Sequence, residues 1–118
     1  MAADYTDLVV WQRSIDLLAE VYALTRRFPR NEQFGFISQL QRAASSIPAN
    51  IAEGNGRFHR GDYLRHLSIA HGSLMELTSH LHACERLHIV SPEQAAPLLA
   101  RSSEVGRMLR GLIVSLRR

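Results

Sequence analysis

Glu76, His80, Cys84 and His88 are metal-ligand types that recur at steps of four. On a helix that step stacks them along one ridge whose ends lie about 18 Å apart. At most two neighbours could share an ion unless another helix or subunit completed the site. Side chains at a core edge are the simpler reading, and no metal or other cofactor is assigned. Glu53 and Glu76 are the two carboxylates that general acid–base work would call on. No nucleophile or water-activating group accompanies them, which favours ion-pair and capping roles in a chain that is not an enzyme. "GNGR", Gly54 to Arg57, has the glycines of a phosphate-cradling loop, but no strand leads into it. "RFHRGDYLRH" joins Arg57, Arg60 and Arg65 to His59, His66, Phe58 and Tyr63. That mixture of cations and rings suits phosphate and base contacts, and equally a solvated helix start.

Composition narrows the chemistry further. The chain has 14 basic residues besides histidine, all arginine, and a net charge of +3. A Walker A loop and Schiff-base catalysis both need a lysine, so both are excluded. Arginine's planar fork suits oxyanions, although a coding preference for arginine explains the skew more simply. Residues 1–25 carry a local charge of −3 and residues 101–118 a local charge of +4, so the two ends are expected to attract one another or a neighbouring subunit. One cysteine cannot form an internal bridge, and 118 residues suffice for one domain with its own core. The opening "MAADYTDLVVW" lacks the basic and apolar regions of a signal peptide, and no apolar run is long enough to span a bilayer. A cytoplasmic protein without membrane contact is expected.

The elements that must position these residues are helical, because apolar residues recur at steps of three and four in four blocks and nowhere alternate as in a strand. Helices are predicted over about 6–27, 32–55, 61–88 and 92–116, within one domain spanning 1–118. The first, capped by Asp4 or Thr6, carries two adjacent stripes: Leu8, Trp11, Ile15, Leu18 and Tyr22 beside Val10, Leu17, Val21, Leu24 and Phe28. Pro29 ends it, and Asn31 is the expected cap of the second. There Ile37, Leu40, Ala44, Ile47 and Ile51 keep their phase across Pro48, so the proline is expected to kink one helix, which Gly54 and Gly56 then close. The third places Leu67, Ala70, Leu74, Leu77, Leu81 and Cys84 on one face. "VSPEQ" starts the fourth, with Ser91 and Gln94 as a capping box. The fourth carries Leu98, Val105, Leu109, Leu112 and Leu116, flanked by Leu99, Gly106 and Ile113. Short connections favour an all-α, antiparallel up-down-up-down four-helix bundle. The surplus stripes on the outer two helices favour a homo-oligomer that buries them.

"DLVVWQ", "FP", "FGFISQLQRAASSIPANIAEGNGR" and "YLRHLSIAHGSLMELTSHL" together resemble the four-helix-bundle family that includes proteins encoded by intervening sequences of bacterial 23S rRNA genes. The resemblance implies a homopentameric barrel without enzymatic activity. It is similar in fold to the accessory variability determinant of diversity-generating retroelements, a basic pentamer that binds nucleic acid and a reverse transcriptase. For this chain a scaffold role follows, with itself or another protein as partner.

The alternative is a module that binds RNA or DNA phosphates through Arg57, Arg60, Arg65, Arg107, Arg110, Arg117 and Arg118. The polar positions that match the family are Gln39, Arg42, Ser46, Asn50, Glu53, Gly54, Gly72, Ser73 and Glu76. Spacing puts Gln39, Arg42, Ser46, Asn50 and Glu53 on one strip. That strip is expected to face the third helix as a buried, mutually satisfied network, with Gly72 and Ser73 allowing close approach and Glu76 pairing with Arg42.

Overall fold

Of the two apolar stripes on the first helix, the tertiary structure buries one. Val10, Leu17, Val21, Leu24 and Phe28 enter the core, while Leu8, Trp11, Ile15 and Leu18 are half-buried and Tyr22 is exposed. The structure is a computed structural model that describes residues 4–118. Met1 to Ala3, where the predicted domain and the segment read for a signal peptide begin, lie outside the described residues.

Four α-helices make up the fold, α1 (Val9–Thr25), α2 (Ser38–Asn55), α3 (Arg60–Arg86) and α4 (Pro92–Arg117), with no strand among the described residues. α1 packs on α2 and α4, and α3 on the same two, with the α2–α3 seam the most extensive. The result is a rod 46 × 22 × 20 Å. α3, whose 27 residues rise about 40 Å, runs most of that length. Leu67, Ala70, Leu74, Leu77, Leu81 and Cys84 are fully buried along that helix, facing Leu40, Ala44, Ile47 and Ile51 of α2.

The local start and stop signals differ in how they play out. Ser91 Oγ accepts from Gln94 N at 3.1 Å and Gln94 Oε1 from Ser91 N at 2.9 Å, the reciprocal box expected at the head of α4. Asp4 caps a 3₁₀ turn, Tyr5–Asp7, and α1 begins after it at Val9, so neither Asp4 nor Thr6 caps the helix proper. Asn31 likewise heads no α-helix. It lies in a 3₁₀ turn, Arg30–Glu32, followed by a π-helical turn, Gln33–Ile37, and α2 starts only at Ser38. Gly35 is the reason, since its backbone (φ −105°, ψ −113°) leaves the helical region within that turn.

α2 then runs unbroken through the buried Pro48. α3 ends in a Schellman motif: Ile89 N donates to Cys84 O at 2.9 Å and His88 N to Glu85 O at 3.0 Å, with His88 itself left-handed at φ 58°.

Candidate functional site

The strip predicted on α2 does meet α3, but it lies along the rim of the seam. Ser46, Asn50 and Ser73 are half-buried, whereas Gln39, Arg42, Glu53 and Glu76 are exposed, so the network is not the buried one expected. Ser46 and Ser73 share a hydrogen bond of 2.8 Å between their hydroxyls. Asn50 Nδ2 donates to Ser46 O at 2.8 Å and to Ser46 Oγ at 3.0 Å, tying off the turn around Pro48. Ser45 Oγ donates to Arg42 O at 3.2 Å on the same turn. The far end of the strip closes on His66, whose Nδ1 lies 3.0 Å from Asn50 Oδ1 and whose Nε2 lies 3.5 Å from Glu53 Oε2.

His66 is thus the residue that joins the network's two halves, and sequence reasoning placed it among the phosphate-contact candidates. The only signal in the sequence was its presence in the helix start opposite the strip. Its distance from Asn50 depends on how α3 folds back along α2.

Two further expectations are corrected. Arg42 makes no ion pair with Glu76 among the described residues; Glu76 Oε2 lies 3.4 Å from His80 Nε2, one turn along its own helix. The two side chains instead line one cleft of about 480 Å³ with Gln39, Ser46, Ser73 and Phe34. Nor is Gly72 the point of close approach, since an added β-carbon there would meet nothing within 4 Å. Gly54 is that point, where a β-carbon would stand 2.7 Å from His66 Cβ and 3.0 Å from Tyr63 Cδ1. The glycine expected to end α2 therefore lets α2 and α3 touch.

The ridge of metal-ligand types is split by the packing. Cys84 is fully buried, His80 is half-buried beside Glu76, and His88 lies beyond the end of α3. Among the described residues no three side chains of ligand type converge. Burial, and secondarily the charge of Glu32, pushes the Cys84 thiol up to about 11, so it is a poor nucleophile.

Charges at the two ends of the sequence meet within one chain. Arg101 Nε donates to Glu20 Oε1 at 2.8 Å and its NH1 lies 3.3 Å from Glu104 Oε1, while Arg13 Nε lies 3.9 Å from Glu104 Oε2. The Glu20 hydrogen bond holds the Arg101 guanidinium above its usual range.

All seven arginines proposed for phosphate contact are exposed, yet several are engaged. Arg57 pairs with Glu53 at 3.1 Å, and Arg60 NH1 donates to the carbonyls of Leu116 and Arg118, each at 3.1 Å. That contact brings Arg60 to the same end of the rod as Arg117 and Arg118. Arg107 NH1 donates to Ser103 Oγ at 3.0 Å and Arg110 NH1 lies 3.4 Å from His71 Nε2. Arg65, Arg117 and Arg118 have no side-chain partner among the described residues.

No helix among the described residues is long and apolar enough to cross a membrane. A family model described as 23S rRNA-intervening sequence protein matches residues 6–111. Among solved structures, the chain is similar to a protein of unknown function from the S23 ribosomal protein family of Bacteroides thetaiotaomicron. The two are 27% identical with a TM-score of 0.81, and the match covers 88% of this chain and 97% of that one. No curated protein matches.

Proposed function

The chain belongs to the 23S rRNA-intervening sequence protein family, and from that premise we propose a non-enzymatic scaffold: an up-down-up-down helical bundle whose copies join into a cytoplasmic homo-oligomer. One observation carries this reading. The stripe of Leu8, Trp11, Ile15, Leu18 and Tyr22 runs beside the core stripe of α1 without entering the core. From Leu8 to Tyr22 it extends roughly 20 Å along the helix, half-buried as far as Leu18 and exposed at Tyr22, so a partly exposed apolar strip remains along the side of α1. A second copy of the same face is its natural cover. The subunit number of five is taken from the family resemblance.

Cross-helix pairs support the alternating direction. Ser46 meets Ser73 while Asn50 meets His66, and Glu20 meets Arg101 while Arg13 meets Glu104. In each case a step along one helix is matched by a reverse step along its neighbour. The non-enzymatic reading is supported by the engagement of the carboxylates, Glu53 with Arg57 and His66 and Glu76 with His80, and by the sealed thiol of Cys84.

Light scattering tests the assembly. Particles of several times 13.3 kDa are expected for the native chain, falling to a single copy in the double variant Ile15→Glu, Leu18→Glu with helical content retained. A native chain that stays single at micromolar concentration rejects the scaffold.

The second reading, nucleic-acid binding, is favoured by the grouping of Arg60, Arg117 and Arg118 at one end near the almost wholly exposed Phe58. Repetition around an axis would turn that end into a ring of cations. Titration with RNA and DNA at two salt concentrations tests it, with affinity expected to fall steeply as salt rises. Absence of binding at low salt rejects it.

A further inference from the structure

At the opposite end of α2 from that arginine group lies a cleft of about 600 Å³, formed where the C-terminal end of α1, the π-helical turn and the first turns of α2 come together. Three of its lining residues are the arginines Arg26, Arg30 and Arg42, and none is acidic. Among the described residues none of the three arginines makes an ion pair or donates a side-chain hydrogen bond. Most arginines of the chain pair with no carboxylate, only Arg13, Arg57 and Arg101 doing so among the described residues; what sets these three apart is that they line one cleft together.

The second element is aromatic. Phe34 is 92% exposed, on the π-helical turn, and Tyr22, 42% exposed, lines the same cleft from α1. Neither ring contributes to the protein's core. A π-helical turn is a costly irregularity that recurs at functional sites, and here it carries the exposed ring at the mouth of the cleft. Gln33, Gln41, Ser38 and Ser45 line the same cleft; Gln41 Nε2 already donates to Thr25 Oγ1 and Ser45 Oγ to Arg42 O, which leaves the Gln33 amide, the Ser38 hydroxyl and the Gln41 carbonyl oxygen for a ligand.

We propose that this cleft binds a nucleoside phosphate, its base stacked on Phe34 and its phosphate held by Arg26, Arg30 and Arg42. Its base and its phosphate each have a counterpart. A flat ring takes an exposed aromatic face, an oxyanion takes arginine forks, and the polar edge of a base takes amides and hydroxyls. The volume lies within the usual range for small-molecule sites. An acidic peptide would satisfy the arginines alone and leave Phe34 without a role. The same chemistry is offered by a free mononucleotide and by one unit of a single strand. The site shares no residue with the Arg60, Arg117 and Arg118 group; it shares Tyr22 with the α1 stripe, and the base contact is assigned to Phe34, which that stripe does not include.

The test uses the full chain with two probes at low salt: adenosine monophosphate by calorimetry, and a fluorescein-labelled single-stranded ten-nucleotide RNA by anisotropy. Phe34→Ala, which removes an exposed side chain, is expected to weaken binding about tenfold. Arg26→Gln with Arg42→Gln is expected to weaken it further and to flatten the salt dependence by about two phosphate contacts. Binding of the mononucleotide that responds to these variants assigns the site to free nucleotides. A response seen with the oligonucleotide alone assigns it to a strand, and either supports the proposal. It is overturned if neither probe binds, or if both bind the variants as they bind the native chain. Inorganic phosphate that competes as well as the mononucleotide also overturns it, because the ring would then add nothing. Arg13→Gln, near the start of α1 and at the other end of that helix from the cleft, serves as the control and should leave affinity for both probes unchanged.

Discussion

A β-carbon built on Gly54 would stand 2.7 Å from the β-carbon of His66. Real β-carbons do not approach so closely, and both obstacles are near-rigid: His66 Cβ is fixed to its helix, and Tyr63 Cδ1 lies at 3.0 Å. Gly54→Ala therefore has to push the last turn of α2 away from α3, across the most extensive helix seam of the bundle. Alanine's better helix propensity offsets about 1 kcal/mol of the cost, and overpacking costs more. A net loss of about 1–3 kcal/mol is expected by denaturant titration. Gly72→Ala is the contrast. With nothing within 4 Å of its added methyl, it should gain about 0.5–1 kcal/mol. Equal effects at the two glycines would show that contact with α3 is not what selects Gly54.

The Ser46–Ser73 bond and the Asn50 amide are expected to act as one unit. Asn50→Ala removes the amide's bonds to Ser46 and to His66 Nδ1 at a half-buried site, leaving Ser46 Oγ only Ser73 and His66 only Glu53, and should cost about 1–2 kcal/mol. In a double-mutant cycle Ser46→Ala and Ser73→Ala should couple by at least about 0.5 kcal/mol. Additive losses would mean that the hydroxyls pack without bonding.

Cys84 makes stability depend on pH in a range where this chain has few other titrating groups, since it contains no lysine. Its thiol titrates at about 11 in the folded protein against 9.0 ordinarily, so the unfolded chain loses that proton first as pH rises. Between these values the folded state binds more protons than the unfolded one. Stability is then full below about pH 9 and declines as pH rises toward 11. Denaturation curves across this window should show the decline, and Cys84→Ala should flatten it even though its baseline is lower. At neutral pH a thiol reagent should label Cys84 only after unfolding; rapid labelling of the native chain would contradict the burial.

His88 holds a left-handed conformation at the close of α3, with φ 58°. A side chain there costs about 1 kcal/mol that glycine avoids. His88 is also exposed and makes no side-chain contact needed by the motif. His88→Gly is expected to raise stability by about 1 kcal/mol, seen as a higher denaturation midpoint at unchanged slope. A loss instead would assign the imidazole a role at the helix end.

Among the described residues Ser102 Oγ, buried on α4, has no hydrogen-bond partner. Ser102→Ala removes an unsatisfied group at little change in volume, and a gain of up to about 1 kcal/mol is expected by the same measurement.

The four blocks of apolar spacing determined the helices, because a period of 3.6 states which residues share a face whatever packs against it. The capping box of Ser91 and Gln94 was equally legible, since both partners lie within one turn. The strip from Gln39 to Glu53 was legible as a strip for the same reason. Only the tertiary structure decided how each helix is rotated about its axis. That rotation sends Val10, Leu17 and Val21 into the core instead of Trp11, Ile15 and Leu18, and it leaves Arg42 facing open clefts. It makes Gly54, not Gly72, the point where α2 and α3 touch. Spacing along one helix carries no record of where a neighbour's axis passes, and that position is settled only when all four sets of side chains are fitted together.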